Sequence, residues 1–299
     1  MAGPSNPTSI VTKMQNQPSE SVAIVIAHYH PDGKIPSYMT AFIKHAQAHY
    51  SKHIVLVSTN ISSKSEQSLS SACKTIKRDN FGYDFWSYKV GLDALPEYRK
   101  FKRILLLNSS FIISDPAKLL NALFEHPVSG QMVGLTKSYD FQEHLQSFCI
   151  LFDGENIVAS EAMKTWWTEM TPISDRDEVI QKYEIGMSRF FKDHGYELIS
   201  RYKPTPSDKL MSIFRAVVQS GNLPNPLGPT DSVVTIELRQ ADSLNPTHYA
   251  WDQLFFKYGV VKLDFLRKSL YSYHFQSILQ KPAWRNTNIA SIVKDAYYT

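Results

Sequence analysis

The chain has 299 residues, 43% of them hydrophobic and 20% charged, with a formal net charge of +4. That composition belongs to a globular protein with its own core and excludes both disorder over the whole length and a fibrous repeat. The charge is too mild for nucleic acid to be the main partner, and it suits an anionic small ligand or an anionic membrane surface. The two cysteines, Cys73 and Cys149, stand far apart, without metal spacing or a disulfide framework, so a reducing compartment is expected. No run approaches the ~20 apolar residues of a membrane helix. The N-terminus lacks the apolar stretch of a secretory signal. The expectation is a cytoplasmic protein.

Residues 1–20, rich in Ser, Pro, Asn and Gln, read as a flexible lead. VAIVIAHY, from Val22, is short, β-branched and continuous, the pattern of a buried strand. SYMTAFIKHAQAHY follows with Met39, Phe42, Ile43 and Ala46 at helical spacing. HIVLVST predicts a second buried strand, SEQSLSSACKTI a short helix, and KRDNFGYDFWSYKVGLDAL a loop entering a helix near Phe85. FKRILLLNSS predicts a third strand. Strand–helix alternation of this kind builds a mainly parallel sheet flanked by helices, with ligands at the carboxyl ends of the strands. Three polar tips fall there: His28-Tyr29-His30, Ser58-Thr59-Asn60 and Asn108-Ser109-Ser110.

Further on, QMVGLTKSY predicts a strand, and HLQSFCILFD predicts an antiparallel one. EAMKTWWTEM reads as a helix, and DRDEVIQKYEIGMSRFFKDHGYEL as a long helical pattern ending at Gly195. Residues 203–231 predict an irregular loop with one helix, KLMSIFRAVVQ, inside it. NPTHYAWDQLFFKYGVVKLDFLRK closes the domain. The expected organisation is a single domain over 21–275 and a helical tail over 276–299.

The densest chemistry lies in Arg78-Asp79-Asn80-Phe81-Gly82-Tyr83-Asp84-Phe85. Gly82 permits a turn that other residues resist. Asp84 has two readings, a helix N-cap or an acceptor for ligand hydroxyls. Asn108, Ser109 and Ser110 fit a plain turn as well as a ligand-facing tip. His144 and Gln146 share one face of a predicted strand, where a lone His is usually structural. Glu184 fits a solvated helix carboxylate or a general base. His248 and Trp251, three apart, fit one cleft, though core packing is the ordinary fate of the Trp. Among standard signatures, GxSxG, HExxH, Walker A and GxGxxG are absent from the sequence.

RDNFGYDFWSYKVGL, ILLLNSSF, GLTKSY followed by HLQSFCILF, YEIGMSRFFKDHGYEL and NPTHYAWDQL together resemble the rhamnan synthesis protein F family of bacterial polysaccharide glycosyltransferases. The resemblance implies a GT-A-like, Rossmann-type α/β domain whose C-terminal half faces the acceptor. It implies an inverting hexosyltransferase that moves rhamnose or galactofuranose from a nucleoside-diphosphate sugar to a glycan or lipid-linked glycan, as in O-antigen or capsule assembly at the inner face of the membrane. His28, Asp79, Tyr83, Asp84, Asn108, Ser109 and Ser110 would bind the donor, and Glu184 would be the base. Lys137, His144, Gln146, Arg201, Lys203, His248 and Trp251 are the candidates for acceptor or diphosphate. The chain departs from the pattern at the strand end, where Asn108-Ser109-Ser110 puts no carboxylate. No metal or other cofactor is therefore expected, with Mg2+ or Mn2+ the alternatives. The competing reading is a non-catalytic nucleotide-sugar or glycan-binding domain of the same fold. A nucleotidyltransferase would want a Gly-rich first loop, which HYHPDGKIPS is not.

Overall fold

The computed structural model describes residues 18–125, 130–139, 141–220 and 244–264. Of the expected lead over 1–20, residues 1–17 lie outside them, while Ser19 and Glu20 already belong to the first strand; the expected tail over 276–299 lies outside them.

Seven strands form the central sheet. They are β1 (Ser19–His28), β2 (Ser51–Ser58), β3 (Lys74–Lys77), β4 (Arg103–Asn108), β6 (Gln131–Gly134), β9 (Cys149–Asp153) and β10 (Leu198–Ser200), in the order β10-β6-β9-β4-β1-β2-β3. The omitted numbers belong to short strands outside it, β5 (Phe111–Ile113), β7 (Lys137–Ser138), β8 (His144–Leu145) and β11 (Val260–Lys262). β1, β2, β3 and β4 run parallel, and β10 runs parallel to β6. β9 is antiparallel to both β4 and β6, as its sequence predicts. The sheet is thus mixed but mostly parallel, flanked by helices, and the expected α/β class holds.

Both faces of the sheet are covered. Ile24 and Ile26 of β1 join one apolar layer with Phe42 and Ile43 of α1 (Ser37–His49). Ala23, Val25 and Ala27 point the other way, into a layer with Tyr88 and Leu92. Strands buried on both faces read as continuous apolar runs, which is why the sequence reveals them. Burying each Ile or Val side chain contributes about 2 kcal/mol.

Two predicted elements differ. SEQSLSSACKTI is not one helix. Its helix α2 (Ser63–Leu69) stops before Ser70-Ser71, and Lys74–Lys77 pairs with β2 as an edge strand. The β-branched pair Thr75-Ile76 gains more from that ladder than from another helical turn. QMVGLTKSY also breaks in two. Gln131–Gly134 stays in the sheet, and Lys137–Ser138 leaves it to pair with His144–Leu145.

The helix α3 (Tyr83–Asp93) sets the site's position. Gly91 lets it lie directly on the sheet, because a Cβ there would stand 2.3 Å from Val25 Cγ1. That close seat brings the first turn of α3 over the end of β4.

Candidate functional site

The loop before α3 is folded around one guanidinium. Arg78 donates from Nη1 to the carbonyls of Asp79 and Phe81 and from Nη2 to that of Tyr83 at 2.7 Å. Its Nε and Nη2 also reach Ser87 Oγ at 3.0 and 2.7 Å. Three carbonyls can converge on one side chain because Gly82 and Tyr83 both take left-handed backbone, with φ of 71° and 51°. Glycine does this freely, whereas tyrosine does it under strain. Asp79 is exposed, and Phe81 and Tyr83 stand out at the same loop, each 43% exposed.

Asp84, in the first turn of α3, accepts a hydrogen bond from Asn108 Nδ2 at 2.7 Å. Burial pushes its carboxyl up to about 6, and the nearby Glu184 charge adds to the rise. The Asn108 hydrogen bond, and more weakly the Arg78 charge, pull against it. Asn108 Oδ1 accepts from the Ser110 backbone N–H at 3.0 Å and from Ser110 Oγ at 2.5 Å. Ser109 Oγ accepts from the Tyr29 N–H at 3.1 Å and donates to the Tyr29 carbonyl. At the end of β1, buried His28 places Nδ1 2.8 Å from Ser58 Oγ, and its Nε2 is buried without a hydrogen-bond partner among the described residues. Burial, with neighbouring His30, lowers the His28 imidazole to about 4, so it is neutral at pH 7. The three polar tips therefore share one sheet edge.

Glu184 comes to this edge from a hundred residues away. It sits in a π-helical turn, Ile180–Ile185, between the helical segments Arg176–Val179 and Gly186–Asp193. The long helical pattern that the sequence predicts is present from Arg176 to Asp193, and Glu184 lies within it and not at an N-terminus. π-turns recur at functional positions. Glu184 Oε1 accepts the Ser147 N–H at 3.0 Å, and Tyr88 Oη donates to the Ser147 carbonyl at 3.0 Å. The backbone of Ser147 thus links α3, which carries Asp84, to the turn that carries Glu184.

Other candidates are engaged elsewhere. Lys137 Nζ pairs with Glu143 at 2.7 Å. His144 donates from Nδ1 to the Gln142 carbonyl at 2.8 Å. Gln146 bridges Thr136 Oγ1 at 2.8 Å and Asn245 Oδ1 at 3.3 Å, tying the segment before the last helices to the sheet. Arg201 donates to the Leu123 carbonyl at 3.0 Å and lies in the field of Asp153 and Arg103, the pair at the opposite end of β4 from Asn108. Trp251 is buried in the core beneath Arg215. His248 lies in the short helix Pro246–Tyr249, and Lys203 is exposed.

The amide and hydroxyls of Asn108, Ser109 and Ser110 hydrogen-bond to one another, to Asp84 and to Tyr29, and no group of three His, Cys, Asp or Glu side chains is placed to hold a metal ion among the described residues. What the edge offers is two carboxylates, of which Asp84 titrates near neutrality. Such groups can hold and move hydroxyl protons. Arg78, Tyr88 and Ser147 escaped the sequence reading. Arg78 was visible beside the motif, but a core tyrosine and a backbone N–H leave no pattern.

The family described as rhamnan synthesis protein F matches residues 54–217. Virulence protein VirA of Vibrio anguillarum is 28% identical over 222 residues, covering 72% of this chain and 69% of its own. Protein y4gN of Sinorhizobium fredii is 25% identical over 200 residues, 65% of this chain and 51% of its own. Among solved structures, the galactosyltransferase LgtC with donor and acceptor sugar analogues overlays at a TM-score of 0.35 with 10% identity, over 74% of this chain and 83% of that one. A Leptospira borgpetersenii cytidylyltransferase gives 0.35 and 10%, over 76% and 98%. Both overlays are loose, and the chemistry rests on this chain's own residues. With its match over more than half of its length, the chain belongs to the rhamnan synthesis protein F family.

Proposed function

We propose that the chain is an inverting glycosyltransferase that moves a sugar, rhamnose or galactofuranose, from a nucleoside-diphosphate donor to a growing bacterial surface polysaccharide. The observation that carries the reading is the meeting of Asp84 and Glu184, from segments far apart in sequence, at the carboxyl edge of the sheet. In this reading the donor lies along His28, Asp79, Tyr83, Asp84 and the Asn108–Ser110 tip. Exposed Tyr83 and Phe81 offer rings for stacking. Glu184 takes the acceptor hydroxyl proton as the sugar carbon–oxygen bond to the diphosphate breaks and the new glycosidic bond forms. The diphosphate leaves without a tightly held divalent ion. The acceptor arrives on the side of the C-terminal half, presented by a lipid-linked glycan at a membrane surface.

The internal use of Asn108, Ser109 and Ser110 favours a second reading, a domain that binds nucleotide sugars without turning them over. Incubation with UDP-, TDP- and GDP-sugars in turn separates the two. Release of nucleoside diphosphate from one donor, retained in EDTA, is the expected result. Saturable binding of a donor with no release supports the binding domain.

A further inference from the structure

We propose that the groove beside Phe141 is the subsite that grips a sugar ring of the acceptor glycan, stacked on the Phe141 ring. This deepens the glycosyltransferase reading and rests on it for the identity of the occupant.

Phe141 is 84% exposed and has a φ of 65°. A bulky residue in left-handed backbone persists only where its surroundings impose it, and such strain gathers at binding sites. Here the surroundings do impose it. Glu143 is clamped by Lys137 at 2.7 Å and Lys192 at 2.8 Å. His144 holds the Gln142 carbonyl at 2.8 Å, and Ser188 Oγ holds the Leu145 N–H at 3.0 Å. The turn is thus tied to the β7–β8 pair and to the helix Gly186–Asp193 while it pushes an aromatic ring into solvent.

The ring borders a groove of about 360 Å3 lined also by Gln142, Glu178, Gln181, Ile185 and Arg189. That space is within the range of small-ligand sites. A sugar ring has an apolar C–H face and a rim of hydroxyls. An aromatic face takes the first, and amide, carboxylate and guanidinium groups take the second. Gln181 and Ile185 belong to the same π-helical turn as Glu184, so a ring held here brings its neighbour in the glycan toward that carboxylate.

The test uses the full chain, without donor, and a rhamnan tetrasaccharide as the probe, read by saturation-transfer NMR and titration. The wild type should bind saturably, Phe141→Ala should weaken binding tenfold or more, and Phe141→Tyr should stay within threefold, all with the same melting temperature. Phe256→Ala, which removes another exposed aromatic, should bind as wild type. No binding by the wild type, unchanged binding by Phe141→Ala, or an equal loss in Phe256→Ala overturns the proposal. Tetrasaccharide binding that depends on Phe141, with normal turnover in Glu184→Gln, would sink the base assignment and leave this subsite standing.

Discussion

The two ends of β4 treat charge in opposite ways. At its start, Arg103 Nε meets Asp153 Oδ1 at 2.7 Å, with Asp153 only 1% exposed, so a buried carboxylate is neutralised by a guanidinium. At its finish, Asp84 is held by an amide and Glu184 by a peptide N–H, and neither carboxylate forms an ion pair among the described residues. The guanidinium nearest that end, Arg78, spends its N–H groups on loop carbonyls and Ser87. Pairing at one end fastens strands; withholding a cation at the other leaves carboxylates able to exchange protons. The difference teaches where on this sheet stability was favoured and where reactivity was.

Breaking the comparison at the start of β4 should have the largest effect on stability. Asp153→Ala leaves Arg103 without its carboxylate in a mostly buried place, a change that costs about 3 kcal/mol. Urea unfolding should show that loss, with donor binding by the remaining folded protein unchanged. A loss below about 1 kcal/mol would mean that the pair fastens nothing.

A sharper comparison lies in the pH dependence of the finishing end. Asp84, raised to about 6, binds a proton in the folded state that it gives up near 3.8 when unfolded. Its share of stability is therefore present below pH 4 and is lost as pH rises through 6. His28, lowered to about 4 from 6.5, works the other way: its share is present above pH 6.5 and is lost as pH falls through 4. The two slopes oppose each other in one window. Melting temperature should rise between pH 4 and 6.5 in Asp84→Asn, where His28 alone remains, and fall with pH in His28→Asn. Parallel slopes in the two variants would show that one of the shifts has the wrong sign.

The smallest effect belongs to Ser109, whose hydroxyl only ties β4's tip to the Tyr29 backbone. Ser109→Ala should cost about 1 kcal/mol or less, with donor affinity within twofold of wild type. A tenfold loss of donor binding would mean that the Ser109 hydroxyl itself, and not only the backbone of the tip, meets the donor.

Much of this was legible in the sequence, for physical reasons. Strands buried on both faces announce themselves as apolar runs, so VAIVIAH and RILLLN were plain, and their polar tips marked the ligand edge. Asp84, Asn108 and Glu184 could be singled out because charged or amide groups stood beside such runs. What stayed hidden depends on contacts between distant segments. Nothing local foretells that Arg78 will gather three carbonyls, that Tyr88 and Glu184 will meet at the backbone N–H and carbonyl of Ser147, or that Arg201 will reach back to Leu123. The π-turn has no pattern of its own and reads as ordinary helix. Lys74–Lys77 was lost because four residues at a sheet edge look like the end of a helix until their partner strand is in place.

The central claim is that the carboxylate left unpaired at the finishing end does the chemistry. Single-turnover transfer by Glu184→Gln, measured beside donor affinity, tests it most directly. Gln keeps the size of the side chain and can still accept the Ser147 N–H, but it cannot take a proton. The account predicts turnover lower by about 100-fold or more, with donor affinity within twofold of wild type. Turnover within a few-fold of wild type would contradict it.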